Sequence, residues 1–158
     1  RRVSPEEAFK LTGHRYSGWV VLYTDPKGKP YTHNGRPFYR LKPDAGELKP
    51  KDGKKPAKYL SIKNSGCRPY FSPLLKQQGL IDGLKKTGDV IWTEGEKKTD
   101  GLVRHGFTAI GIAGVDCWKD GRSTEMLPEL EAINWRGRDV IIFFDSDVTT
   151  KKIQSREH

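Results

Sequence analysis

Two short apolar runs, each ending abruptly in acid, constrain this chain more than any other feature. In DVIWTEGEKKTD (residues 89–100) Val90-Ile91-Trp92 leads to Glu94, and in RDVIIFFDSD (138–147) Val140 to Phe144 leads to Asp145 and Asp147. Runs of β-branched and aromatic residues without polar alternation fit strands buried on both faces of a parallel sheet. Ligands in open α/β sheets sit beyond the carboxyl ends of such strands, and both acidic clusters fall there. Residues i and i+2 of an extended segment face the same way, so Asp145 and Asp147 can share a cation. Three carboxylates converging on one edge repel one another unless a cation lies between them. Hard oxygen ligands favour Mg²⁺ or Mn²⁺. Each cluster alone has a plainer reading, Glu94 as an exposed acid at a strand end and Asp145-Ser146-Asp147 as an Asx turn or cap. Their order and matching context favour the metal site.

The strands are separated by helix signals. The pattern predicts strands at 89–93, 108–112 and 139–144. It predicts helices over about 96–105, closed by Gly106, and from Ser123, with Pro128 as a break or late start. A β-α-β-α-β series implies right-handed crossovers onto a parallel sheet. Gly95 permits the sharp turn after Glu94 and close approach of a ligand to the backbone.

Residues 1–72 read differently. Ser4, Pro5 and Glu6-Glu7 start a helix that Gly13 ends. Residues 18–23, 37–42, 57–63 and 68–72 read as strands, the last two around the Asn64-Ser65-Gly66 turn. Residues 73–88 form a linker whose glycines argue against one long helix, and residues 89–158 form the α/β domain. Charge divides along similar lines. Of a net +9, residues 1–88 carry 19 Lys and Arg against 7 Asp and Glu, and residues 89–158 carry 10 against 13. A basic lobe joined to an acidic, metal-ready one fits a polyanionic partner. The lobe interleaves cations with flat rings: Phe38, Tyr39, Arg40 and Lys42, then Lys58, Tyr59 and Lys63, then Arg68, Tyr70 and Phe71. Such a face can neutralise phosphates and stack bases, although tyrosines in strands are more often core.

Cys67 and Cys117 form no CxxC pair, which argues against a zinc ribbon and does not support a disulfide framework. His14, His33, His105 and His158 have no ligand spacing. No signal-like or membrane-length apolar segment is present, so a cytoplasmic protein is expected. The opening Arg1 suggests a fragment or processed chain.

The segments TEGEKKTDGLVRHGF, IGIAGV and VIIFFDSD together resemble a TOPRIM domain, the fold of bacterial-type primases, topoisomerases and certain nucleases. The resemblance spans residues 89–148. Its EGEKK form is similar to TOPRIM domains of phage and plasmid replication proteins, many of them fused to helicases. The GWVVLY, PFYRLK, KYLS and RPYFSP series is similar to the N-terminal region of a TOPRIM-like group of unknown function. The resemblance implies a Rossmann-like parallel-sheet core with an N-terminal β-rich basic lobe. It implies Glu94 as general acid/base or metal partner, Asp145 and Asp147 as Mg²⁺ ligands, and Gly95 and Gly114 at strand–helix turns. The implied activity is that of a DNA primase, a nucleotidyltransferase of DNA replication that takes single-stranded DNA and nucleoside triphosphates, with a helicase domain or subunit as partner and no membrane. A metal-dependent nuclease and a non-catalytic nucleic-acid-binding module are the alternatives. A Rossmann-type small-molecule enzyme is disfavoured by the lack of GxGxxG after the first strand. Many primase versions place an acid four residues after the glutamate, where this chain has Lys98. Lys97 and Lys98 either hold phosphate beside the metal or form a solvated first helical turn. In the loop 113–122, Trp118 and Lys119 either touch a base and a phosphate or anchor the loop on the core. A full TOPRIM domain continues past the DxD pair with a helix and a strand, where this chain has only VTTKKIQSREH (148–158), so the core is expected to be truncated, completed by another segment or joined to further domains.

Overall fold

The computed structural model describes residues 1–50, 53, 56–77, 79–85, 88–119, 121 and 124–145. The chain is mixed α/β and divides into two compact units, residues 1–24 with 29–66, and residues 25–28 with 67–158.

The first unit is antiparallel. Strands β1 (Arg2–Val3), β2 (Gly18–Leu22) and β5 (Tyr39–Pro43) pair in the order β1-β2-β5, and a separate hairpin joins β3 (Thr32–His33) to β4 (Arg36–Pro37). Helix α1 (Pro5–Thr12) begins where Ser4 Oγ accepts a hydrogen bond from the Glu7 N–H at 3.3 Å, and ends at Gly13 in the left-handed conformation. Its Ala8 packs on Val3, Val20 and Leu41 to form the core of this unit. The strand expected at 57–63 is not formed. Only Leu60 bridges to Leu41.

The second unit carries a four-stranded sheet in the order β6-β8-β7-β9, made of β6 (Tyr70–Phe71), β7 (Val90–Glu94), β8 (Ala109–Ile112) and β9 (Val140–Phe143). β7 runs parallel to both β8 and β9, and β6 is antiparallel to β8. The segment 68–72 therefore contributes a strand to this sheet and not to the basic lobe. The connection from β6 to β7 is a short helix α2 (Pro73–Gln77) and a 3₁₀ turn (Leu80–Leu84). Helix α3 (Glu96–Arg104) crosses from β7 to β8, and the four-residue α4 (Pro128–Glu131) precedes β9. The expected cap Ser123 lies outside the described residues.

β8 is wholly buried, with Ala109 and Ile110 inaccessible to solvent and Gly111 at a close crossing. A Cβ at Gly111 would lie 2.5 Å from Thr99 Oγ1 and 3.0 Å from Tyr70 Cβ, so only glycine lets α3 and β6 approach the strand this closely. β9 departs from expectation. It occupies an edge, and Val140, Ile141, Ile142 and Phe143 are all exposed, Ile142 to 64%. Edge position alone does not expose a strand, since Tyr70 and Phe71 of the other edge strand, β6, are buried; among the described residues α3 packs chiefly on β8, β7 and β6 rather than on β9. Among the described residues no helix is long and apolar enough to cross a membrane.

Candidate functional site

Three parallel strands, β8, β7 and β9, direct their carboxyl ends to one edge. Thr93 is in register with Phe143, so Glu94 is level with Phe144 and Asp145 stands one residue beyond. Glu94 and Asp145, distant in sequence, thus stand at neighbouring strand ends, offset by one residue. Asp147 lies outside the described residues.

The turn after Glu94 is built on Gly95, whose φ of 81° and ψ of 162° belong to a region open essentially to glycine alone. Its N–H donates to Ile112 O at 3.1 Å, and its carbonyl accepts from both the Thr99 N–H at 3.3 Å and Thr99 Oγ1 at 2.9 Å. Gly95 is thereby fixed between the end of β8 and the first turn of α3. Lys97 and Lys98 lie on that turn. Lys97 is exposed, and the Lys98 ammonium donates to Asp145 Oδ1. The side chains of this ion pair are 37% and 55% exposed, a surface contact across 47 residues of sequence. Lys98 is thus paired with a carboxylate rather than merely solvated.

The carboxylates of Glu94 and Asp145 are hard oxygen donors of the kind Mg²⁺ or Mn²⁺ takes, and the Lys98 ammonium pairs with Asp145. The donor chemistry fits. Among the described residues no group of three His, Cys, Asp or Glu side chains is assembled for a metal, and the third expected ligand, Asp147, is outside them.

Gly114 opens the loop after β8, where its carbonyl accepts from the Cys117 N–H at 2.9 Å. Cys117 is bonded to Cys67, with Cα atoms 5.3 Å apart and 50 residues between them in the chain. This single bridge was not signalled by spacing along the sequence, since the pairing is made only when the approach to β6 passes the loop. Trp118 is half-buried, and the Lys119 ammonium lies 5.7 Å from the centroid of its ring, a cation–π contact. The Trp118 carbonyl accepts from Leu127 N–H at 2.9 Å, which holds the loop against the segment leading to α4.

The residues expected to bind nucleic acid divide between the units. Arg40 and Tyr59 stack at 5.1 Å in the first unit, where Arg40 also donates to the Tyr23 hydroxyl at 3.1 Å; Lys58 and Lys63 are exposed there. Arg68 and Tyr70 belong to the second unit. Arg68 pairs with Glu129 at 2.5 Å. Tyr70 is 3% exposed and is no stacking platform, because its ring is core between β8 and α3.

A polar cluster beneath α3 escaped the sequence reading. Tyr70 Oη and Ser72 Oγ both donate to Asp100 Oδ1, at 3.0 and 2.6 Å. Burial, and then the charge of Asp100, push the Tyr70 phenol above its ordinary range. Glu96, the first residue of α3, is 2% exposed and faces the same tyrosine electrostatically. The available signal was the i, i+4 spacing of Glu96 and Asp100, which puts both carboxylates on one helix face.

Residues 83–157 match the family model of a domain of unknown function (DUF3854), a span that includes Glu94, Lys98 and Asp145. No curated protein and no solved structure matches the chain.

Proposed function

We propose that this chain is the core of a Mg²⁺- or Mn²⁺-dependent nucleic-acid enzyme with a TOPRIM-like second unit, a primase that joins nucleoside triphosphates on single-stranded DNA. The observation that carries the proposal is the placement of Glu94 and Asp145 at adjacent carboxyl ends of parallel strands, offset by one residue, beside the Gly95 turn. In this reading Asp145 and Asp147 hold the ion, and Glu94 sits where it can take a proton from an attacking hydroxyl. The bound ion supplies charge neutralisation at the reacting phosphate. Lys97, exposed on the first turn of α3, adds positive charge for the triphosphate. The basic residues of the first unit, Lys58 and Lys63 among them, grip the template backbone without regard to sequence. A replication protein of a phage or plasmid, working in the cytoplasm with a helicase, is the setting this activity fits.

The test is incubation with single-stranded DNA, labelled nucleoside triphosphates and Mg²⁺. Template-dependent oligomers are expected, and Asp145→Asn is expected to abolish them while DNA binding persists. Shortened DNA would make the same carboxylates those of a nuclease. Retention of DNA without any conversion would make the chain a binding module, and unchanged synthesis by Asp145→Asn would refute the mechanism.

A further inference from the structure

We propose that Lys98 is a tethered counter-ion for the carboxyl edge, which a divalent cation must displace from Asp145 before it can bind. The inference rests on the metal reading of that edge.

The geometry separates this role from a structural one. Lys98 stands on the first turn of α3, which Gly95 and Thr99 anchor at the end of β7. The helix thus presents the ammonium to Asp145 from a fixed base. A pair that locks a fold is normally buried, and both side chains here reach solvent. An exposed pair of this kind contributes little to stability and exchanges readily with water. The four-carbon stem of lysine lets the ammonium leave without movement of the helix. The other acids on α3 do not compete for it: Asp100 is engaged by Tyr70 and Ser72, and Glu96 is buried.

Two consequences follow for a metal. An incoming ion finds Asp145 already compensated, by a group whose attachment gives it a high effective concentration. The ion also meets a positive charge a few ångströms away. Removing the ammonium relieves both, so a substitution that deletes a contact should improve binding. At this position the chain has a group that opposes a metal until displaced.

The experiment is titration of the whole chain with Mn²⁺, following free Mn²⁺ by electron paramagnetic resonance. Lys98→Gln should bind Mn²⁺ about three- to tenfold more tightly than the unaltered chain. Lys98→Arg, which keeps the charge, and Arg104→Gln, which removes one from the far end of the same helix, should each stay within about twofold. Equal affinities for Lys98→Gln and the unaltered chain would overturn the counter-ion role and leave the metal site standing. Equal tightening by Lys98→Gln and Arg104→Gln would overturn it in favour of general charge. Absence of Mn²⁺ binding in every variant would overturn the metal reading itself, and the inference with it.

Discussion

A single oxygen of Asp100 accepts hydrogen bonds from Tyr70 and Ser72, and this arrangement sets an alkaline limit on stability. Burial and the neighbouring carboxylate favour the neutral phenol of Tyr70, raising it above the ordinary value of 10.0. The unfolded chain releases that proton near the ordinary value, while the folded chain retains it to higher pH. The native state therefore binds more protons above about pH 10, and stability that is fully present below that pH falls as pH rises. Denaturant titrations at pH 9 and pH 11 should show the loss. Tyr70→Phe should reduce it, at a cost of about 1 kcal/mol near neutrality; an equally steep alkaline loss in Tyr70→Phe would exclude this cause. Individual residues differ in how far the sequence reveals them. Gly95 is legible because a strand-to-helix turn demands a conformation only glycine takes. Tyr70 is not, because tyrosines beside basic residues look the same in a core as on a binding face. The partner of Lys98 is hidden for another reason, lying 47 residues away, just beyond the end of β9.

At the scale of elements, the three parallel strands and α3 of the second unit follow their local signals closely, while the helix expected from Ser123 forms only its late start, Pro128–Glu131, and what surrounds these elements was not readable. The start of α3 after Gly95 and its end near Gly106 were readable from turn and cap chemistry. The burial of β8 and the exposure of β9 were not, since both are apolar runs and only the elements packed across them distinguish the two. β9 leaves four large apolar side chains in water on an edge strand, a feature that templates pairing with other chains. Ile142→Lys should therefore lower light scattering of concentrated protein. Its effect on the unfolding free energy should stay within about 0.5 kcal/mol. A large loss of stability would mean that Ile142 is packed in solution. The segment 57–63 failed as a strand. It meets β5, on the edge opposite β2, through a single bridge at Leu60.

For the molecule as a whole, positive charge accumulates in the first 88 residues and the acidic edge lies in the remainder, a division fit for holding a polyanion and acting on it. The account depends on the edge where β7 and β9 end being the place that a divalent ion occupies. The most direct measurement is paramagnetic broadening of backbone amide resonances in the ¹⁵N-labelled chain as Mn²⁺ is added. The amides of Gly95, Lys98 and Asp145 should broaden first, while those of Val3, Ala8 and Val20 in the core of the first unit persist. Broadening centred instead on Asp100 or Glu129, or none at all, would contradict the assignment.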